Sequence, residues 1–275
     1  MGHFSGRNPD QSTRMELFTV AGKLLAMGLV FYLLLAIGAH FLSLSMLFPR
    51  PPVKYDLGPD YLQLTTPDGV KIAARHWANP QAKYTMLYLH GNYEELGSLG
   101  EYIPTFVAAG YDVFAIDYRG YGRSEGAPSE ANLYADTRLA YDYLRNQLGV
   151  PADRIIIFGY SLGGGPAVEL AVSQPAAGLV LQGAFVSAYR TMTGIPLFPW
   201  DKFVNLSKVP RLRCPVMVIH GMADGTVPFL HGVKLYGAIT ARKTQLFVAD
   251  GPHGGLADFT GPHYWAELKK FTDSL

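Results

Sequence analysis

A serine flanked by glycines, Gly159-Tyr160-Ser161-Leu162-Gly163, follows the apolar run 155–158 and precedes a helical stretch. The G-x-S-x-G order suits a strand-to-helix turn with no room for side chains beside the serine, whose hydroxyl is left exposed above a helix N-terminus. Ser161 is therefore the candidate nucleophile. A glycine turn that holds phosphate at a helix start is the competing reading of the same five residues. Pro166 fits the first helical turn, where its missing N–H costs little.

A serine hydroxyl is a poor nucleophile until a base takes its proton and a carboxylate orients that base. His253 lies in Ala249-Asp250-Gly251-Pro252-His253-Gly254-Gly255, a loop after the last apolar run that can present an imidazole. Asp224 lies in His220-Gly221-Met222-Ala223-Asp224-Gly225-Thr226-Val227-Pro228, just past another run. These are the candidate base and acid, although Asp224-Gly225 also reads as a turn. His231, in an exposed helical stretch, and His263, near a helix start, read as surface or packing residues, and His220 as a strand-end hydrogen-bonding residue. Asp250 is an alternative acid, too close to His253 in sequence to support it from another strand.

Such residues need elements to bring them together. Apolar or β-branched runs at 61–65, 71–76, 85–89, 113–117, 155–160, 178–182, 216–220 and 245–249 read as eight strands, the first two joined by the turn Thr66-Pro67-Asp68-Gly69. Helical patterns fall at 99–109, 130–148, 162–173, 230–239 and 262–271. Strands alternating with helices predict an α/β fold with a mostly parallel sheet covered on both faces. In such a sheet the chemistry gathers at the carboxyl ends of the strands, where each of the three candidates falls.

The remaining composition points to lipid. The 275 residues are 49% hydrophobic and only 16% charged, with a net charge of +1, so no positive field exists to hold nucleic acid. The single cysteine, Cys214, excludes an internal disulfide framework and a zinc site built on two thiolates. Residues 24–48 carry no formal charge and would reach about 37 Å as a helix, enough to span the ~30 Å hydrocarbon core with tilt. A cleaved signal is the alternative, with Lys23 before the run and Ala36, Gly38 and Ala39 as small residues. The apolar stretch continues well past Ala39, which favours an anchor.

Arg7, Arg14 and Lys23 before the span against Arg50 and Lys54 after it lean toward an N-terminus inside, a single pass and a catalytic body outside the cytoplasm, periplasmic in a bacterium. Small residues four apart, such as Gly22 and Ala26, are too common in spans to support a homo-oligomer. The reading divides the chain into a tail 1–23, an anchor 24–48, a Pro-rich linker 49–59 and a catalytic domain 60–275.

Four motifs in order, His90-Gly91-Asn92, DYRGYGRSEG at 117–126, GYSLGGGPAVELA at 159–171 and CPVMVIHGMADGTVP at 214–228, resemble the α/β-hydrolase superfamily, in particular its single-pass membrane-anchored members. The resemblance implies an α/β-hydrolase fold, a serine hydrolase with Ser161, Asp224 and His253 as triad, and an oxyanion hole from the N–H groups of Asn92 and Leu162. After His253 the family has Asn or an acidic residue where this chain has Gly254-Gly255. His90 is read as structural, and the glycines of 117–126 as a turn at the rim of the site, too loosely spaced for a dinucleotide loop. Only about thirty residues separate the strands ending at Gln182 and starting at Val216, which implies a short cap.

Tyr93, Phe185, Ile195, Leu197, Phe198 and Trp200 are the candidate substrate-binding rim, with core packing as the competing reading for the cap residues. The expected activity is hydrolysis of carboxylic esters, of the lipid ester, lysophospholipid or acyl thioester class, without metal or organic cofactor. An amide or peptide hydrolase with the same triad and a catalytically silent scaffold at the membrane are the alternatives.

Overall fold

A computed structural model describes residues 11–195 and 200–275, with side chains 11, 12 and 42–44 left out. The chain divides into two compact units, Met1–Met46 and Leu47–Leu275. Helix α1, Gln11–Leu47, holds most of the first unit. It begins earlier than the apolar run because residues 13–23 contain no proline and a single glycine, Gly22. Large apolar side chains, among them Phe18, Leu25, Phe31 and Phe41, are exposed along it. Residues Thr13–Leu47 are long and apolar enough to cross a membrane.

The second unit is an eight-stranded sheet: β1 Tyr61–Thr65, β2 Lys71–Trp77, β3 Thr85–Leu89, β4 Asp112–Ile116, β5 Ile155–Tyr160, β6 Gly178–Gln182, β7 Val216–Gly221 and β8 Lys243–Val248, in the order β1-β2-β4-β3-β5-β6-β7-β8. The β1–β2 and β2–β4 pairs are antiparallel and every later pair is parallel. Helices α2 Ile103–Ala108, α3 Glu130–Asn146, α4 Gly164–Ser173, α5 Arg190–Thr193, α6 Leu230–Ala238, α7 Leu256–Thr260 and α8 Pro262–Asp273 lie between and after the strands.

Strands β3, β4 and β6 are buried at every residue, as their mostly apolar sequences require when helices cover both faces, with Thr85, Asp112 and Gln182 as the polar residues at their ends. Edge strand β1 buries only Leu64. Strand β8 starts two residues before the apolar run because Lys243 and Thr244 pair with Val216 and Met217, a contact that hydropathy does not register. In α3, Leu133, Thr137, Ala140, Tyr141 and Leu144 form the buried face, and Ser129 caps the start by accepting from Asn132 N at 3.1 Å. Asp136 is buried on that face too. It takes Arg119 N and Nε, each at 2.8 Å, while the same guanidinium reaches Asp68 in the β1–β2 turn at 2.9 and 3.1 Å. On the opposite face Tyr88, Phe106 and Phe158 pack with ring centroids 5.2 to 6.0 Å apart.

The short helices α5 and α7 were not anticipated, and the pattern at 99–109 resolves into a 3-10 turn, Ser98–Gly100, and the short α2. Gly100 interrupts the apolar spacing there. His231, expected in an exposed stretch, is 7% exposed; α6 turns it inward, where Nδ1 accepts from Val186 N at 3.2 Å.

Candidate active site

Ser161 stands at the end of β5, in the 3-10 turn Ser161–Gly163 that leads into α4. Its φ of 50° lies in the left-handed region, which costs a residue with a Cβ about 1 kcal/mol or more. The flanking glycines explain how the turn closes. A Cβ on Gly159 would lie 2.6 Å from Ala167 Cβ, and one on Gly163 would lie 2.0 Å from the Leu89 carbonyl oxygen. The turn therefore rests against the end of β3, where the loop carrying Asn92 begins. Leu162, next to the serine, is buried, and Asn92 is half-buried.

Asp224 and His253 enter from the loops after β7 and β8. These loops are joined through backbone: Met222 N donates to Val248 O at 2.8 Å and Ala223 N to Gly251 O at 3.0 Å. A Cβ on Gly221 would fall 2.1 Å from Gly251 O, so glycine is what permits the approach. His253 Nδ1 is 2.7 Å from Asp224 Oδ2, and its Nε2 is 2.9 Å from Ser161 Oγ. A carboxylate only accepts, so Nδ1 carries the proton and Nε2 offers its lone pair to the serine hydroxyl.

Asp224 Oδ1 accepts from Thr226 N at 2.9 Å and Val227 N at 2.7 Å. His220 Nε2 is 2.9 Å from Val227 O and 3.2 Å from Asp224 Oδ2; both are acceptors, so this nitrogen is protonated and shared between them. Burial raises the Asp224 carboxyl, but hydrogen bonds from His220, His253 and the loop N–H groups outweigh it and hold the group well below the usual carboxylate range. The residue stays ionised beside His253.

Several partners were not legible beforehand. Gly183, at the end of β6 with φ of 58°, clears the imidazole: a Cβ there would be 3.0 Å from His253 Cε1. The Tyr160 ring packs 5.3 Å from that of His253. His220 sits against Asp224 rather than serving only its strand end. A glycine directly after a predicted strand was the one available signal for Gly183. His90 is fully buried, with Nδ1 donating to Gly91 O at 2.7 Å, and burial pushes its pKa down to about 4. His263 is exposed, and Asp250 is an exposed residue with φ of 54°.

Of the expected rim residues, Tyr93 is 71% exposed, Ile195 60% and Trp200 37%. Phe185 is only 4% exposed and its ring meets that of buried Phe203 at 6.5 Å, which places it in the packing beneath the cap instead of on the rim. Leu197 and Phe198 lie outside the described residues. Among the described residues no cluster of His, Cys, Asp and Glu could hold a metal ion.

A family model described as serine aminopeptidase, S33, matches residues 80–209. Alpha/beta hydrolase domain-containing protein 17B of Homo sapiens is 34% identical over 201 residues, covering 70% of this chain and 67% of the human protein. The chain belongs to the α/β-hydrolase superfamily. Another curated member, the alpha/beta hydrolase domain-containing protein aho-3 of Caenorhabditis elegans, is 36% identical over 200 residues. There the match takes in 70% of this α/β-hydrolase and 59% of the length of the nematode protein. The α/β-hydrolase fold is shared with the esterase Pf2001 of Pyrococcus furiosus at a TM-score of 0.68 and 21% identity, over 82% of this chain and 98% of that one. The esterase RhEst1 from Rhodococcus aligns at 0.63 and 22%, over 78% and 99%.

Proposed function

We propose that the protein is a membrane-anchored serine hydrolase that cleaves carboxylic esters through an acyl-enzyme. The observation that carries this reading is the unbroken relay from Asp224 Oδ2 through His253 to Ser161 Oγ, at 2.7 and 2.9 Å. Ser161 Oγ attacks the acyl carbonyl while His253 Nε2 takes its proton. Asp224 keeps Nδ1 protonated and stabilises the imidazolium that forms. The N–H groups of Asn92 and Leu162 receive the negative oxygen, a contribution of about 10²–10³ in rate per donor in comparable sites. His253 then returns the proton to the departing alcohol or thiol, and a water activated by the same nitrogen releases the acid.

The substrate class we infer is lipid ester, lysophospholipid or acyl thioester. Exposed Tyr93, Ile195 and Trp200 in the loops after β3 and β6 suit an acyl chain at the mouth of the site. Helix α1, as a single-pass anchor with its N-terminus inside, would hold the catalytic domain at the outer membrane surface. The proposal is tested by hydrolysis of p-nitrophenyl esters from short to long acyl chains by the full-length protein in detergent. Ser161→Ala should abolish turnover and fluorophosphonate labelling in a folded protein, and persistent turnover in that variant would overturn the assignment. The match to a serine aminopeptidase model favours, as a second reading, an amide hydrolase with the same triad. Faster cleavage of aminoacyl-p-nitroanilides than of the matched esters would select it.

A further inference from the structure

The motif at 117–126 was expected only to shape the rim, and the relay leaves Asp117 without a role. Asp117 is fully buried just beyond β4. Its Oδ1 accepts from Leu96 N at 2.8 Å and lies 3.7 Å from His90 Nε2. Leu96 closes the loop 90–96 that carries Asn92, so the carboxylate holds that end of it, while neutral His90, donating through Nδ1, packs its Nε2 beside the carboxylate without a hydrogen bond. Within it, Gly91 N donates to Glu94 Oε2 at 2.7 Å, and Tyr118 Oη donates to His90 O at 3.2 Å.

The other oxygen of Asp117 is taken by a residue from outside the sheet. Tyr55 Oη, in the Pro-rich segment that precedes β1, donates to Asp117 Oδ2 at 2.5 Å. Its ring stacks on Tyr61 with centroids 4.4 Å apart. Arg123 fastens the segment from the motif side: its Nε donates to Tyr55 O at 3.0 Å, its backbone N to Tyr55 Oη at 3.2 Å, and its guanidinium pairs with Asp56. Gly122, with φ of 48°, leaves the space for this contact. A Cβ there would lie 1.7 Å from Asp117 Oδ2 and 3.1 Å from Tyr55 Oη. On the neighbouring loop a Cβ on Gly97 would come within 3.0 Å of the Lys54 carbonyl carbon. Two glycines in separate loops thus make room for the same short segment.

We propose that Tyr55 is a positioning residue of the active site, which through Asp117 fixes the loop 90–96 and thereby aims the Asn92 N–H. This rests on the reading of Asn92 as an oxyanion donor. The segment before the domain is then a working part of the catalytic unit, not only a tether. Donors to an oxyanion act by being aimed before the reaction begins. A loop that relaxes still admits substrate but loses stabilisation specific to the transition state, which lowers kcat and leaves KM in place. Burial pushes the Asp117 carboxyl up to about 7, against the hydrogen bonds from Tyr55 and Leu96 N, so a buried carboxylate depends on these donors for its placement.

The test is Tyr55→Phe in the full-length detergent-solubilised protein, with Arg123→Ala as a second route to the same contact and Ser161→Ala alongside. Phe keeps the ring stacked on Tyr61 and removes only the hydroxyl. With p-nitrophenyl butyrate as probe, kcat should fall about tenfold or more in Tyr55→Phe. KM should stay within about twofold, since only transition-state contacts are lost. Arg123→Ala should lower kcat in the same sense, and it decides the matter if Tyr55→Phe does not fold. Wild-type kcat in both folded variants, with Ser161→Ala inactive, overturns the positioning role alone. A loss shown only as a raised KM also overturns it. Turnover surviving in Ser161→Ala would instead remove the serine-hydrolase reading on which the inference stands.

Discussion

Replacing Gly163 by alanine probes how the two halves of the proposed oxyanion site are held in register. The new Cβ would stand 2.0 Å from the Leu89 carbonyl oxygen, 2.5 Å from its carbon and 2.9 Å from His90 O. An ordinary contact begins near 3.4 Å, so about 1.4 Å of overlap must be relieved. All three neighbours are backbone atoms and none can rotate away. Either the end of β3 or the serine turn must retreat, and these carry Asn92 and Leu162 respectively. A misplacement of about 1 Å costs on the order of 10² in rate, close to the effect of losing one oxyanion donor. Stability should fall by about 1–3 kcal/mol, the usual range for overpacking, or roughly 2–4 °C in Tm per kcal/mol for a domain of this size. Gly237→Ala is the control. Its Cβ meets nothing within 4 Å in α6, and the helix should gain up to about 1 kcal/mol. The assay pairs kcat for p-nitrophenyl butyrate with a thermal melt of each variant. Full kcat and wild-type stability in Gly163→Ala would refute the claim that the glycine sets the register of the site.

Ser161→Gly should melt higher than Ser161→Ala, by about 1 kcal/mol, because glycine adopts the left-handed φ of 50° without penalty, while both variants lose turnover. Equal melting points would mean that the turn stores no such strain. His90 is held neutral by burial, with its pKa lowered from 6.5 to about 4. The unfolded chain takes up this proton below pH 6.5 while the folded one does not until about 4, so the contribution of His90 is present above 6.5 and lost as pH falls toward 4. Across that window wild type should lose about 3 kcal/mol more stability than His90→Gln. The comparison between variants is needed because Asp117, raised to about 7, acts in the opposite sense: its contribution is present at low pH and lost as pH rises through 7. Parallel pH-stability curves would show that His90 is not the group responsible.

Much of the frame was legible because single residues answered to local constraints. Gly159 and Gly163 are glycines for steric reasons that act within a few residues of Ser161 or on the adjoining strand end, and β3, β5 and β6 begin and end where their apolar runs do. The contacts that escaped notice join residues far apart in the chain. Gly183 clears an imidazole that arrives from the loop after β8, and Tyr55 meets Asp117 across the whole of β1 to β4. Phe185 fitted either the rim or the core because it lies in the short insertion between Gln182 and Val216, and its ring packs against Phe203, a pairing that the returning cap segment creates. Local spacing carries no record of such meetings.

The order of the strands has a consequence for how the site comes into being. The loop with Asn92 leaves β3 and the turn with Ser161 leaves β5, neighbours in the sheet that pair from Thr85 with Ile155 onward. In the chain, α2, β4 and α3 lie between them. Such a parallel pairing closes a long loop and is slow to form, since its entropy must be surrendered before the contacts exist. A nascent chain that has completed β3 and β4 still lacks the surface against which Gly163 will rest. The loop bearing Asn92 gains its neighbour only when β5 inserts beside β3, and Asp224 and His253 follow from the loops after β7 and β8. Catalytic competence should therefore appear late in refolding, after most helical signal has returned.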